Sequence, residues 1–364
     1  MKKYVVIAVS IIVILLGILG VKVYKKNQGE GKTSNVETEA TTDEKVAEND
    51  VKKEEAKTSN IKIFNGNDRP IAFMIDNNIH AQPHSALNRT YLVYEIIVEG
   101  GETRLMALFK GVDLSKGDVA VGPIRSARHY FIDYALENDA IYAHLGQSPR
   151  AIEYIQNFNV PDINGQVYDT GKARTDSSLY WRVKHKSAPH NAYTSIGSIL
   201  KIADQKNFAK TSDKESVLNY VENEVNLTSA DAINANTVTI PYTSSHTVKY
   251  VYDEATGRYT RYSKGKKQTD EETGEDVTTK NLIISFIKNK PLIDGENKDR
   301  QDLENFTTAK GYYITNGKAI PIQCEKSFVG GQTQYKDMTG KKIEVNDGNT
   351  WINICPIDSN VTIE

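Results

Sequence analysis

The sequence has few of the residues, and none of the motifs, that most readily reveal an enzyme. Its 364 residues include two cysteines, two tryptophans and ten prolines, and the formal net charge is −2. It contains no Gly-x-Ser-x-Gly elbow, Walker loop or dinucleotide fingerprint, and no cofactor is predicted. The near-neutral charge argues against nucleic acid as a partner. Any binding site must therefore arise from local groups.

The two cysteines do not indicate a metal site. Cys324 and Cys355 lie in strand-like contexts with no histidine or third thiol nearby. An even count in an exported protein suggests a disulfide, but two buried free thiols fit the sequence equally well. His80 and His84 have the spacing of a helical metal pair, yet Pro83 between them favours a loop. No metal is predicted.

The longest apolar run lies at the N-terminus. Residues 4–21 are interrupted only by Ser10, and eighteen residues are just enough to cross a bilayer. Neither a small-x-small cleavage site nor a cysteine for lipid attachment follows closely. We therefore predict that residues 1–26 are an uncleaved single-pass anchor in the cell membrane, with the body outside the cytoplasm. Residues 27–60 are rich in Glu, Lys, Thr and Asn and predict a disordered tether.

Beyond Ile61 the pattern predicts three further regions. Short apolar strands alternate with helical segments over residues 61–205, which indicates an α/β (α+β) N-terminal domain with a partly parallel sheet. The Ser212–Glu215 capping box predicts a helical connector over residues 206–235. Strands and turns over residues 236–364 predict a mainly-β C-terminal domain.

The most informative segment is Gly122-Pro-Ile-Arg-Ser-Ala-Arg128, because helical spacing of apolar residues follows it. If Ser126 caps that helix, free amides and the helix dipole lie beside Arg125 and Arg128, an arrangement that holds anions. A second helix begins with Ser148 at its cap. A parallel strand pair with a crossover would place both helix starts at the carboxyl edge of the sheet.

The same residues allow a purely structural interpretation. Both arginines of the motif could pair with acids of their own domain, namely Asp76, Glu95 or Glu99. Glu95 and Glu99 could serve acid/base chemistry, or could form the base of a hairpin that is salt-bridged to Arg104. His144, at a strand end, and the pair His190 and Asn191 could line the same pocket or satisfy local hydrogen bonds.

Several motifs occur in an order that resembles the YerB-like family of bacterial extracytoplasmic proteins, which are often lipoproteins. They are Arg69-Pro-Ile-Ala-Phe-Met-Ile-Asp-Asn77, Tyr94-Glu-Ile-Ile-Val-Glu-Gly-Gly-Glu-Thr-Arg104, Gly122-Pro-Ile-Arg-Ser-Ala-Arg128, His144-Leu-Gly-Gln-Ser-Pro149, Ala188-Pro-His-Asn191 and Asp347-Gly-Asn-Thr-Trp-Ile352. The resemblance implies paired N- and C-terminal domains whose function is unassigned. The chain lacks the lipid-attachment cysteine, and Cys324 stands where the family's tryptophan is expected, which favours the disulfide interpretation.

These observations lead to one principal functional hypothesis and two alternatives. The principal one is a membrane-anchored envelope protein that binds an anionic wall-related ligand, such as a wall polymer or a lipid-linked phosphate. The expected ligand-binding set is Arg125, Ser126, Arg128, His144, Ser148, Arg104, Glu99, Glu95, His190 and Asn191. The alternatives are a non-enzymatic scaffold that docks onto cell-wall synthesis proteins such as penicillin-binding proteins, and a wall-polymer-modifying enzyme.

Overall fold

A computed structural model describes residues 60–296 and 298–364. The predicted membrane anchor and residues 27–59 of the predicted tether lie outside the described residues. Within the described part of the chain, no helix has both the length and the apolar character needed to cross a membrane. Residues Thr58–Glu364 form one compact unit.

The first part of this unit contains the α-helices of the described chain. They are α1 (His129–Glu137), α2 (Pro149–Asn157) and α3 (Ile196–Gln205). The strands in this part are β1 (Ile71–Asp76), β2 (Leu92–Ile97), β3 (Thr103–Phe109), β4 (Ala120–Val121), β5 (Ile141–His144), β6 (Asp162–Asn164), β7 (Tyr180–Arg182), β8 (Ala192–Ser195) and β9 (Tyr220–Val221).

Beyond β9, the regular elements of the described chain are strands joined by turns and loops, as the sequence predicted for the C-terminal region. They are β10 (Ile233–Asn234), β11 (Thr237–Thr243), β12 (His246–Asp253), β13 (Arg258–Ser263), β14 (Lys266–Lys267), β15 (Thr278–Thr279), β16 (Asn281–Ile287), β17 (Asn289–Pro291), β18 (Gln301–Leu303), β19 (Thr308–Thr315), β20 (Lys318–Glu325), β21 (Gln334–Asp337), β22 (Val345–Asn346), β23 (Thr350–Pro356) and β24 (Thr362–Ile363).

One mixed sheet of eleven strands runs through both parts of the chain. Its order is β10-β20-β19-β16-β23-β2-β3-β1-β5-β6, with β21 beside β20. The junction is the parallel pairing of β2 with β23, from Leu92 opposite Thr350 to Ile96 opposite Ile354. Because this junction lies in the middle of the sheet, the N- and C-terminal regions share a continuous hydrogen-bonded framework.

A second sheet covers one face of the first. It has the order β14-β13-β12-β11-β24, with β15 beside β13. Its strands alternate between buried and partly exposed residues, which is typical of a sheet with one face exposed to solvent. Val238 and Tyr250 from this sheet join one hydrophobic cluster with Val93 and Trp351 from the large sheet. The other face of the large sheet packs against α1 in a second cluster that includes Met74 and Phe131.

The predicted parallel pairing of the strands that precede the two loops, β4 and β5, is wrong for β4. β4 pairs antiparallel with β8 in a small separate sheet, whereas the parallel neighbours of β5 are β1 and β6. The reason is length, since β4 has two residues and the six fully buried residues of β1 offer a longer apolar partner. The sheet is nevertheless partly parallel, as expected.

The predicted helical connector is also wrong, because no residue between 206 and 235 continues or begins an α-helix beyond the end of α3. The Ser212 hydroxyl accepts a hydrogen bond from Lys214 N instead of capping a helix. Val217 and Leu218 are both buried, although they are adjacent, and the chain then pairs as β9 with β22. Tertiary pairing therefore overrides the local capping signal.

The disulfide interpretation is incorrect, because Cys324 and Cys355 are both free and buried. They belong to clusters on opposite faces of the large sheet. Cys324 on β20 and Cys355 on β23 are separated by β19 and β16, which at the usual strand spacing is about 14 Å. A disulfide needs Cα atoms closer than about 7 Å. Burial raises the pKa of both thiols, which keeps them protonated.

The shared sheet predicts that residues 58–364 unfold in one cooperative transition. The two tryptophans report on the two parts of the chain, since Trp181 lies on β7 and Trp351 on β23. In each of the variants Trp181→Phe and Trp351→Phe, the fluorescence of the remaining tryptophan should follow the far-ultraviolet circular dichroism at every urea concentration. Two separated transitions within one variant would show that the two parts fold independently.

Candidate functional site

The segment 122–128 lies along the end of β1 and does not form a helical turn. Asp76 N–H donates to the Pro123 carbonyl over 2.9 Å, and Arg125 N–H donates to the Met74 carbonyl over 2.8 Å. Helix α1 begins at His129 with no side-chain cap. The predicted Ser126 cap is therefore wrong, and backbone pairing with β1 positions the arginines.

Residues 145–148, which precede helix α2, form hydrogen bonds with residues 122–128, so the two loops are in contact as expected. Leu145 N–H donates to the Arg125 carbonyl over 3.0 Å, and Ala127 N–H donates to the Gly146 carbonyl over 2.9 Å. Gly146 has φ of +79°, and a Cβ atom there would lie 3.0 Å from the Ser126 hydroxyl. Glycine thus permits both the left-handed backbone and the close approach of the loops.

Glu99 forms ion pairs with two of the three arginines at the carboxyl end of β1, Arg104 and Arg128. The Arg128 guanidinium binds both of its carboxylate oxygens, and Arg104 Nη2 donates to Oε1 over 3.0 Å. Arg104 also donates to the Ser126 carbonyl over 2.6 Å. Burial raises the pKa of Glu99, but the hydrogen bond from Arg128 and the charges of both arginines outweigh it and hold the pKa at about 2. Arg128 and Arg104 are therefore part of the framework.

Arg125 and His190 converge on the other acid, Asp76. Arg125 Nε lies 3.2 Å from Asp76 Oδ2 without the geometry of a hydrogen bond, and it has no hydrogen-bond partner in the described part of the chain. His190 Nδ1 lies 2.7 Å from the same oxygen. The Arg125 side chain is 27% exposed, whereas that of Arg128 is 8% exposed. Arg125 is thus the arginine of the motif that is open to a ligand.

The edge carries more positive than negative charge. The guanidinium groups of Arg104, Arg125 and Arg128 face two carboxylates, Asp76 and Glu99. Burial lowers the pKa of Arg104 to about 10, and the neighbouring charges of Arg128 and Arg125 contribute to this effect. Such crowding of cations favours an added anion.

Three of the predicted site residues have structural partners and do not face a ligand. His144 is fully buried, with Nδ1 2.9 Å from the Gly146 carbonyl and Nε2 3.3 Å from Asp162 Oδ2. Ser148 caps α2 through its hydroxyl, as predicted. Asn191 accepts from Arg182 Nη1 over 3.1 Å.

Glu95 is also internal, at the contact between the two sheets. Its carboxylate accepts from Arg261 Nη2 over 2.6 Å, from the Thr103 hydroxyl over 2.8 Å and from Asn77 Nδ2 over 3.0 Å, and His246 Nε2 lies 3.4 Å away. Burial raises the pKa of Glu95, but Arg261 and His246 outweigh it and keep the pKa at about 2. This ionised carboxylate is held too firmly to exchange protons near neutral pH.

Two residues join the site that the sequence analysis did not include in it. Asp76 ends β1, so its position at the carboxyl edge of the parallel pair with β5 was the available signal. His80 is exposed, and its ring centroid lies 5.9 Å from that of His190. His84, by contrast, is buried with Nε2 2.7 Å from the Asp76 carbonyl. Among residues 60–296 and 298–364, no group of three or more His, Cys, Asp or Glu side chains could hold a metal ion.

Comparison with known proteins identifies relatives over most of the chain. The N-terminal domain of a "Protein of unknown function (DUF3048)" family matches residues 58–209, and the C-terminal domain of the same family matches residues 238–352. The "Putative lipoprotein YerB" of Bacillus subtilis is 32% identical over 302 residues, which cover 79% of this chain and 81% of the relative. The crystal structure of the YerB protein from Bacillus subtilis matches with a TM-score of 0.69 at 30% identity, covering 81% of this chain and 94% of that one.

The ion pairs of Glu99 with Arg104 and Arg128 predict how the stability of the fold depends on pH. Because the pKa of Glu99 in the folded protein is about 2, below the ordinary value of 4.5, its ionised form stabilises the fold above about pH 4.5, and this stabilisation is lost as the pH falls toward 2. Glu99→Gln should lower the free energy of unfolding at pH 6 by roughly 2–3 kcal/mol.

Urea unfolding of both proteins from pH 6 down to pH 3 tests this prediction, and the difference between them should shrink as the pH falls. The exposed Glu153 on α2 provides a matched control, since Glu153→Gln should change stability little at any pH. A Glu99→Gln effect that is independent of pH would contradict the ion-pair explanation.

Proposed function

Because this chain belongs to the YerB-like two-domain family, we propose that it is an extracytoplasmic, membrane-anchored envelope protein that binds a phosphate-bearing wall-related ligand through Arg125. The observation that carries the proposal is the state of this guanidinium. Its side chain is 27% exposed, only its buried Nε faces Asp76, without a hydrogen bond in the described residues, and it belongs to a group of three arginines that face two carboxylates.

The chemistry of the edge suits a phosphate better than a neutral sugar. A guanidinium matches phosphate oxygens with parallel N–H donors, and the excess positive charge adds a Coulomb attraction. His190 is oriented by Asp76 through Nδ1 and stands beside Arg125, so in its doubly protonated form it can donate the N–H of Nε2 to the same anion. Ser126, partly exposed between the arginines, adds a hydroxyl. A wall polymer with phosphodiester links and a lipid-linked phosphate both present this group.

The proposed location of the protein is based on its N-terminal sequence and on the Bacillus subtilis relative. Residues 4–21 are long enough and apolar enough to anchor the chain in a bilayer. The Bacillus subtilis relative carries the description "Putative lipoprotein YerB", and a lipoprotein is held at a membrane surface by its lipid. In this chain the apolar span would replace the lipid as the anchor, and residues 27–60 would hold the folded body away from the membrane.

The binding proposal predicts different effects for the two arginines of the motif. Arg125→Ala in the full-length chain should weaken binding of a poly(glycerol phosphate) oligomer by roughly 10- to 100-fold, because a charge-assisted hydrogen bond contributes about 1.5–3 kcal/mol. Its melting temperature should change little. Arg128→Ala should instead lower the melting temperature, because it leaves Glu99 underpaired.

Isothermal titration calorimetry and thermal unfolding measure the two effects. Arg174→Ala is a matched control, since Arg174 is also partly exposed and paired with an aspartate, Asp118, outside this site. Undiminished binding by the Arg125→Ala variant would contradict the proposal. Binding lost only in variants with lowered melting temperature would favour a structural role for the loop.

The anchoring proposal predicts that the full-length chain stays in the membrane fraction after alkaline carbonate extraction. Deletion of residues 4–21 should release it, because this is the longest apolar run of the sequence. Protease added to intact protoplasts should degrade the folded body. Protection of the body until the cells are lysed would contradict the extracytoplasmic orientation.

A further inference from the structure

Asp76 holds His190 in an orientation that suits proton transfer. His190 Nδ1 lies 2.7 Å from Asp76 Oδ2, and the other oxygen of this carboxylate accepts from Asn78 N–H over 3.1 Å. Because a carboxylate accepts, Nδ1 carries the proton, and Nε2 of the neutral ring keeps a free lone pair. A histidine that an aspartate orients in this way can act as a general base through its other nitrogen.

A second histidine lies next to this pair. His80 belongs to the short turn Ile79–Ala81, which follows the end of β1, and it is exposed. Its ring centroid lies 5.9 Å from that of His190. Within residues 60–296 and 298–364, the His80 ring has neither an ion pair nor a hydrogen bond. One imidazole is therefore oriented as a base, and a second one beside it is free to act as an acid.

The guanidinium of Arg125 lies on the other side of the same carboxylate oxygen. Arg125 Nε is 3.2 Å from Asp76 Oδ2, the atom that His190 also contacts. The side chains of Arg125 and His190 are 27% and 17% exposed, so an anion from solution can reach both. A phosphate bound by Arg125 would thus lie beside His190, and the guanidinium would stabilise charge that develops on the phosphate oxygens during a reaction.

We propose, on the basis of the phosphate site proposed above, that this chain cleaves phosphodiesters that carry a hydroxyl group on the neighbouring carbon. His190 Nε2 would take the proton of that hydroxyl, whose oxygen attacks phosphorus and closes a cyclic phosphate. The bond from phosphorus to the oxygen of the next unit breaks with its electron pair, and doubly protonated His80 gives that oxygen a proton. One P–O bond forms as another breaks, so no co-reactant is consumed.

A polymer of glycerol phosphate suits the site better than RNA, which also has a hydroxyl beside its phosphate. The formal net charge of −2 does not favour a nucleic acid. RNA-binding proteins stack unpaired bases on exposed aromatic side chains, whereas the ring that packs on the motif at Gly122 belongs to Tyr193, which is 3% exposed. Poly(glycerol phosphate) has no base to stack, and a free hydroxyl lies next to its phosphate-bearing carbons.

Phosphorus NMR of the full-length chain with poly(glycerol phosphate) tests this proposal, because a five-membered cyclic phosphate has a resonance of its own. His190→Ala should slow formation of the cyclic product by roughly 100-fold or more, since general acid–base catalysis contributes about 10²–10⁴-fold. Polymer binding, measured by titration calorimetry, should fall much less. His185→Ala is a matched control that should keep the full rate, because His185 forms a similar pair with Glu271 outside this site, with Nε2 2.7 Å from Oε1.

The pH profile separates the roles of the two histidines. The rate of the unchanged chain should pass through a maximum, since His190 must be neutral and His80 doubly protonated. Asp76 and Arg125 are the charged groups that face His190 beside His80. His80→Ala should react more slowly and lose the decline in rate at high pH. A decline that persists in this variant would contradict the role of His80 as the acid.

Two further probes test the substrate and the dependence on the phosphate site. A polymer methylated at its free hydroxyl should bind but stay intact, because it lacks the attacking group, and its cleavage would overturn the mechanism. Faster cleavage of the dinucleotide uridylyl-adenosine would overturn the choice of polymer. Binding of the unmodified polymer without a cyclic product would overturn the cleavage proposal alone, whereas absence of binding would overturn the phosphate site as well.

Discussion

The buried ion pair between Glu95 and Arg261 is the contact on which the rest of the architecture depends. Glu95 lies on the central strand β2 of the large sheet and Arg261 on β13 of the second sheet, and their side chains are 0% and 1% exposed. A carboxylate in such a position is tolerated only when its charge and its lone pairs are satisfied. Thr103, Asn77 and His246 complete that requirement, so a shift of one sheet against the other would leave a buried charge without its partners.

This contact also determines where the candidate phosphate site forms. Asn77, which donates to Glu95, is the residue after Asp76, and Asp76 holds Arg125 and His190. The guanidinium of Arg261 lies 4.6 Å from the ring centroid of Trp351 on β23, the strand that joins the two parts of the chain. The end of β1, the sheet junction and the second sheet are thereby fixed relative to one another. The site is thus built on rigid elements, as precise recognition requires.

The charged residues at the carboxyl end of β1 have different structural roles. Glu99 neutralises Arg128 and Arg104 and ties the hairpin between β2 and β3 to the start of α1. Asp76 orients His190 and lies beside the buried Nε of Arg125 without a hydrogen bond to it, while the Arg125 side chain stays partly exposed.

The sequence by itself determined much of the local structure. Periodicity and turn residues were sufficient to predict the alternation of short strands and helices in the first part, the α2 cap at Ser148 and most of the longer strands after residue 236, because each depends on neighbours in sequence. It also named three acids that could pair with the arginines of the motif, and two of them, Asp76 and Glu99, do so. Only the tertiary structure decided that Glu99 pairs with Arg128 while the Arg125 side chain remains partly exposed. It also decided that residues 206–235 are not helical and that the two cysteines lie on opposite faces of one sheet. These outcomes depend on the pairing of β2 with β23, across more than 250 residues, and no local pattern records which distant partner a side chain will meet.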